Sequence, residues 1–408
     1  RTMPQDKLIS SYLSHISQSL VALLISKGLL VVDGSGKQSK DSPVRFHPDT
    51  PPSRPQMGPR FGTYIFMLND PTAAKAMTSS DMAQFLEVAL DSSGVAVTQK
   101  GMRVFVTFSY ALKTLHQIVG FDTLGGIGIG VSGSNHVMQY KIDDYPHHLI
   151  AGTTGSGKST FMQAMIAQLI NTSPLERTAI YIIDPHNDAF EVFNGCPHLR
   201  RDVIVSQDEI AATLEAAATL CRTRRTSGYN VRKVPDLLRV YIFIDEAQAD
   251  DVCGTSDTRK AASPEGKKRM TANIANIQII LKEGRKYGVH MVIGTQRPNA
   301  ADLSGIVIEQ LGARWLGYVA TAKAAGDLGG GGVPLHKLMP HGDMMMVKGS
   351  DVIRFQAVIV QDWSWLPKTD AYDEDLLAYT VPSVKEKLAH LDLPDTLVDE
   401  IVKALELE

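Results

Sequence analysis

His148-Leu-Ile-Ala151-Gly152-Thr-Thr-Gly155-Ser-Gly157-Lys158-Ser159 is the stretch whose reading decides the fold. His148 to Ala151 reads as a short buried strand. The residues from Gly152 to Ser159 fit G-x-x-x-x-G-K-[ST], and Phe161, Met162, Met165, Ile166 and Leu169 follow at helical spacing. Glycines let such a loop curl until its backbone N–H groups converge on phosphate oxygens, and the helix N-terminus adds the positive end of its dipole. Lys158 is placed to meet the β- and γ-phosphates, and the Ser159 hydroxyl to ligate Mg²⁺. The expected cofactors are ATP and Mg²⁺, held by Gly152, Thr153, Thr154, Gly155, Ser156, Gly157, Lys158, Ser159 and Thr160.

Around this loop, short apolar strands alternate with helical stretches, the signature of a mostly parallel α/β sheet. The strands expected are 148–151, 179–183, 240–244, 289–293 and 314–319. Val240-Tyr-Ile-Phe-Ile244 is apolar throughout, as a strand covered on both faces must be, and it ends in Asp245-Glu246. Two carboxylates at a strand's C-terminal end are costly unless they face a site. Asp245 suits a second Mg²⁺ ligand, and Glu246 a base that aligns and deprotonates water. The strand from His290 ends in Thr295-Gln296-Arg297-Pro298. Gln296 has two readings there, a contact to the γ-phosphate or its water and a residue that closes a loop. Along the chain an extra strand, 179–183, ending in Asp184-Pro185-His186, comes after the loop and before the acidic pair, which is consistent with a glutamate-class, RecA-like motor. His186 reads as a site-lining or structural residue rather than a general base.

The N-terminal part is built differently. Residues 1–31 read as an N-terminal helical segment, with one amphipathic helix expected over 5–27 and Leu8, Ile9, Leu13, Ile16, Leu20 and Leu24 near helical spacing. Residues 32–60 read as a linker, because Pro43, Pro48, Pro51, Pro52, Pro55 and Pro59 defeat both helix and central strand. Residues 61–135 read as a small α+β domain with strands 61–68, 95–98 and 102–108 and a helix carrying Met82, Phe85, Leu86 and Leu90. The RecA-like motor is then expected over 136–362 and a short acidic helical tail over 363–408. Cys196, Cys221 and Cys253 form no CxxC pair, so neither a disulfide framework nor a zinc site is indicated. No unbroken apolar run approaches about 18 residues, so no membrane segment is expected and the location expected is the cytoplasm.

Five motifs in order resemble the FtsK/SpoIIIE family of DNA translocases: Pro146 to Ser159, Ile183-Asp-Pro-His186, Ile244-Asp-Glu246, Gly288-Val-His-Met-Val-Ile-Gly-Thr-Gln-Arg-Pro298 and His341-Gly-Asp-Met344. The resemblance covers roughly residues 135 to 362. The unit at 61–120 looks like the small domain that such proteins carry before the motor. The resemblance implies an ATPase that assembles as a ring, a homohexamer, and drives double-stranded DNA through its pore. It also implies an arginine finger completing the neighbour's site, and Arg285 stands where the family places it. From spacing alone Arg285 is equally a helix-end cation complementing the C-terminal dipole. Arg297 matches a pore-facing DNA contact, and Lys323 matches another after a one-residue shift. The Ser-Arg that follows in the family is absent here, replaced by Ala325-Gly326.

Related motors offer alternatives: a protein-secretion ATPase, a conjugative coupling protein, or a genome-packaging ATPase. The basic stretch Arg259, Lys260, Lys267, Lys268, Arg269 reads either as a solvated face or as a phosphate track. Lys and Arg number 41 against 44 Asp and Glu, a net of −3 that argues against a dedicated nucleic-acid binder until it is divided. Residues 361–408 carry −8, which leaves +5 for residues 1–360. A pore needs positive charge only on its inward loops, so the balance is compatible with DNA. The N-terminal helix and the acidic tail are the candidate surfaces for a recruiting protein.

Overall fold

The computed structural model describes residues 5–92, 94–111, 117–133, 135–296, 310–329, 334–349, 351–369 and 372. Two compact bodies divide the chain. The first holds residues 1–172, 294–299 and 311–364, and the second holds 173–293, 300–310 and 365–408.

The first body begins with helix α1 (Gln5–Ser26), whose Ile16, Leu20 and Leu24 stack on one face four residues apart. They are buried in a core shared with Tyr64, Phe66, Leu86 and Val106. The helix is long and apolar enough to cross a membrane. A search for an unbroken apolar run misses this because Ser10, Ser11, Ser14, His15 and Ser17 interrupt it. Here its apolar stripe packs into the small core. The small sheet runs in the order β1 (Val44–Phe46), β3 (Phe61–Leu68), β5 (Arg103–Ser109), β4 (Val95–Lys100), all antiparallel, with β2 (Gln56–Met57) also on β3. Helices α2 (Pro71–Met77) and α3 (Ser80–Ala89) connect β3 to β4, each started by a side-chain cap, Asp70 on the Thr72 N–H and Ser79 on the Met82 N–H.

The proline-rich stretch is thus more than a linker. It supplies β1 and β2, and proline confines both to the edge or to a short pairing. Between them, the Thr50 hydroxyl donates to the Ile65 carbonyl and accepts the Ile65 N–H, doing the work of a ladder residue.

The larger sheet contributes six strands to the first body: β7 (Val137–Gln139), β6 (Gly128–Ser132), β14 (Asp351–Ala357), β13 (Asp343–Lys348), β12 (Ala313–Leu316) and β8 (His147–Ala151), in that order. Only β12 and β8 pair in parallel, Trp315 opposite Ile150. The others are antiparallel, a β13–β14 hairpin and a β6–β7 hairpin. Because β6 pairs with β14, the large sheet already includes Gly128, and residue 135 lies within the β6–β7 connection. Helix α4 (Lys158–Thr172) follows β8 and buries Phe161, Met162, Met165 and Ile166. Helix α8 (Ala322–Gly329) follows β12.

In the second body, β10 (Arg239–Ile244) lies between β9 (Thr178–Ile183) and β11 (Val289–Thr295), parallel to both. Ile244 stands opposite both Ile183 and Ile293. All three strands are buried almost throughout, which explains their unbroken apolar sequence. Helices α5 (Gln207–Thr226) and α7 (Pro264–Tyr287) pack on each other, and the short α6 (Ser256–Ala261) precedes α7 behind a capping box of Thr255 and Thr258. Past the last strand, Lys368 Nζ donates to the Val192 and Asn194 carbonyls, and the Tyr372 hydroxyl donates to Asp202. The helical tail expected beyond that point lies outside the described residues.

Candidate functional site

The phosphate-type loop leaves the C-terminal end of β8. The Gly152 N–H donates to the Thr295 carbonyl at 3.3 Å, and the Thr153 N–H and hydroxyl both donate to the Tyr318 carbonyl, at 2.9 and 3.1 Å. The loop then turns through Gly155 at φ 79° and Gly157 at φ 99°. A Cβ on Gly157 would stand 2.8 Å from the Gly342 nitrogen, so backbone freedom and close approach both require glycine there. Helix α4 starts at Lys158, which is buried, and its first-turn N–H groups cannot be bonded within the helix. Thr154 donates to Gln296 Oε1 at 3.1 Å, so Gln296 and the loop meet in the first body.

A second segment braces the loop from behind. The His341 N–H donates to the Gly155 carbonyl at 3.1 Å, and the Gly342 N–H to the Ser156 carbonyl at 2.8 Å. His341 is itself left-handed, at φ 65°, a conformation a β-substituted residue adopts only under constraint. The constraint is visible. Asp343 accepts from Arg354 Nε and Nη2 at 2.9 and 2.6 Å and from the Met339 N–H at 2.9 Å, and both charged side chains are almost wholly buried. Arg354 Nη1 reaches on to the Gly94 carbonyl of the small sheet. Arg60 Nη1 lies 3.0 Å from the Pro340 and His341 carbonyls and from Gln356 Oε1. Burial pulls the Arg60 guanidinium below its ordinary value, and the charge of Asp343 opposes that shift. Beside the loop opens a cavity of about 400 Å³, lined by Gly157, Thr160, Arg60, Val119, Gln356 and Ile359. A cavity of about 320 Å³ between the small sheet and β14 includes none of the loop residues.

In the second body, Asp245 and Glu246 follow the last residue of β10, both buried. The Asp245 N–H donates to the Ile183 carbonyl at 2.9 Å. Glu246 is left-handed at φ 56°, and its carboxylate accepts from Gln248 Nε2 at 2.5 Å. Strain of this kind gathers at functional positions and costs on the order of 1–3 kcal/mol. Asp184, in the Asp-Pro-His segment, accepts the N–H groups of His186, Asp188 and Ala189, so it shapes the turn after β9.

Arg285 is exposed on the last turn of α7. That turn leads into β11, whose Val289 pairs with Val240 at the start of β10. Glu246 lies beyond the other end of the strand. Val240 to Glu246 spans about 20 Å at ~3.3 Å per residue, well beyond an arginine side chain. The structure therefore keeps Arg285 apart from Asp245 and Glu246 of its own chain.

Lys323 is exposed in the first turn of α8. Arg297 lies outside the described residues. The basic stretch divides: Arg259 donates to the Cys253 and Gly254 carbonyls and serves the loop before α6, while Lys260 pairs with Asp257. Lys267 and Lys268 are exposed. Sequence reading gave no role to Arg60, Arg354 or Gln356. Asp343 alone had a signal, the His-Gly-Asp-Met motif.

A model of the FtsK/SpoIIIE family matches residues 122–232, which include the loop and the Asp-Pro-His segment. Over that region the chain is similar to the FtsK/SpoIIIE family. Two curated relatives extend the likeness. The DNA translocase FtsK of Listeria monocytogenes is 26% identical over 296 residues, 66% of this chain and 36% of the relative. The DNA translocase FtsK of Staphylococcus epidermidis is 28% identical over 298 residues, 67% of this chain and 34% of the relative. The chain thus spans about a third of the length of these relatives. Among solved structures, the pCW3 conjugation coupling protein TcpA, in its monomer form with ATPgS, covers 85% of this chain and 96% of its own at a TM-score of 0.52 and 19% identity. The fold is RecA-like, with the small sheet ahead of the motor strands.

Ser159, in the first turn of α4, and Asp245, after β10, each carry a hard oxygen donor of the kind Mg²⁺ takes when phosphates supply the rest. Among the described residues no group of three or more His, Cys, Asp or Glu gathers.

Proposed function

We propose that this protein is an ATP-driven translocase of double-stranded DNA that works as a ring, a homohexamer, in the cytoplasm. The observation that carries the reading is the loop itself: a glycine turn at the end of a buried strand, a buried lysine at the helix start, and a brace fixing its backbone. Backbone N–H groups held this way bind phosphate without reorganising. Bound MgATP supplies the phosphoryl group and the energy of its transfer.

Within this reading, residues Gly152 to Thr160 wrap the phosphates, and Lys158 neutralises charge on the β- and γ-oxygens. Ser159 and Asp245 hold Mg²⁺. The cavity beside Thr160 takes the nucleoside. Glu246 orients the attacking water and removes its proton, with Gln296 beside the loop to align that water. Arg285 serves the nucleotide of a neighbouring copy, since its own carboxylates lie at the far end of β10. A guanidinium there neutralises charge spreading over the transferring phosphoryl, and it makes turnover depend on ring assembly. The relatives named DNA translocase FtsK support duplex DNA as the substrate, with Arg297 and Lys323 as candidate contacts.

The test is ATP turnover with and without linear duplex DNA across a salt series. Stimulation should fall steeply as salt rises, because each phosphate contact releases counterion. Lys158→Ala should remove turnover in either condition. Turnover indifferent to DNA at every salt concentration would refute DNA as the substrate and favour a protein cargo.

A further inference from the structure

The last turn of α7 is tied from outside at three consecutive carbonyls. Lys286 O accepts the Val231 N–H at 3.1 Å, Tyr287 O accepts Arg224 Nη1 at 2.5 Å, and Gly288 O accepts the Val240 N–H at 2.8 Å. Gly288 closes the helix in the left-handed region, at φ 69°, returning its N–H to Gly284 O. The Arg224 side chain is fully buried, and its Nη2 donates to the Leu238 carbonyl at 2.9 Å. One guanidinium therefore joins the end of α7 to the segment that enters β10. The next residue on α5, Arg225, points outward and pairs with Glu283 at 2.6 Å. Arg285 stands among these tied residues, exposed, and no hydrogen bond or ion pair to a described residue holds its side chain. Its root is fixed while its head is left to reach.

We propose that Arg224 is a positioning residue for Arg285: it sets the last turn of α7 so that Arg285 meets the nucleotide of a neighbouring copy. The inference rests on the ring ATPase reading above. A planar fork bonds two carbonyls of different elements at once, and its charge complements the negative end of α7. A lysine offers one point charge and no fork, so Arg224→Lys keeps the charge and loosens the geometry.

The experiment uses the full chain with ATP and linear duplex DNA. Arg224→Lys should lower kcat roughly 10- to 100-fold, the cost of misplacing a reacting group by about an ångström. The KM for ATP should stay unchanged, because the variant's own phosphate loop is untouched. The discriminating readout is mixing. Arg224→Lys has a sound loop and a misplaced finger, while Lys158→Ala has a dead loop and a sound finger. Mixed rings of the two should turn over faster than either alone. In an Arg285→Ala background, Arg224→Lys should cause no further loss of kcat.

Failure of mixed rings to recover, or a further loss in the double variant, overturns the proposal and leaves the ATPase reading standing. Full turnover by Arg285→Ala alone overturns the finger and this proposal with it. If Arg224→Lys does not fold, Gly288→Ala perturbs the same turn through its left-handed φ, and it must give the same kcat loss and the same recovery.

Discussion

Under the proposed function, the phosphate-type loop and the last turn of α7 both serve phosphate chemistry, and they are held in opposite ways. The loop is fixed along its own backbone: Gly152, Thr153, Gly155 and Ser156 are each bonded to other segments, and the His341-Gly342 brace is locked by the buried Asp343–Arg354 pair. The α7 turn is fixed at its root, by Arg224 and two N–H groups, and among the described residues no hydrogen bond or ion pair holds the side chain of its exposed arginine. The difference follows from what each presents. A loop that binds through backbone N–H groups has no rotamers with which to correct an error, so the backbone must be right. An arginine reaching another molecule needs a firm origin and a mobile head.

Four substitutions would break or sharpen that contrast. The largest effect is expected from Glu246→Gln, which keeps shape but loses the base: turnover should fall by roughly 10²–10⁴, with ATP binding retained by equilibrium titration. Loss of binding instead would make Glu246 part of the fold of its strained turn. Asp343→Ala comes next. Leaving Arg354 buried and unpaired should cost about 3–5 kcal/mol, read as a lower denaturant midpoint with an unchanged slope. A cost below ~1 kcal/mol, the range of an exposed pair, would show that the brace is slack.

Arg60→Ala removes a side-chain tie between the small sheet and the brace. About 1–2 kcal/mol in lost hydrogen bonding should appear as a KM for ATP raised several-fold with kcat little changed. An equal fall in kcat would move Arg60 into the chemistry. Lys323→Ala should have the smallest effect: a uniform weakening of duplex binding, with the slope of log affinity against log salt reduced by about one. An unchanged slope would remove Lys323 from the DNA surface.

Where one strong local signal exists, sequence reading located the element. The apolar runs that became β8 to β11 stood out because both faces are covered, and the loop stood out because its glycines and lysine have no other common use together. The β13–β14 hairpin was less visible. Met344-Met-Met-Val347 and Val352-Ile-Arg-Phe-Gln356 are compatible with helix or strand taken alone, and Arg354 inside such a run argues against burial until its ion pair with Asp343 is seen. Thr50 looks like a loop residue because its pairing is to Ile65, far along the chain. The brace depends on residues 60, 94, 341 and 354 meeting, and no local pattern encodes that. Glu246 stands out as a candidate by its place after an apolar strand, but its left-handed backbone does not, since nothing in Asp-Glu-Ala announces it.

Displacement of a third strand from a duplex end by the full chain with ATP tests movement itself rather than binding. The expected result is ATP-dependent displacement by the unaltered protein and none by Glu246→Gln, with both binding the duplex equally. Duplex-stimulated ATP turnover without displacement would contradict translocation and leave a DNA-activated ATPase that does not travel.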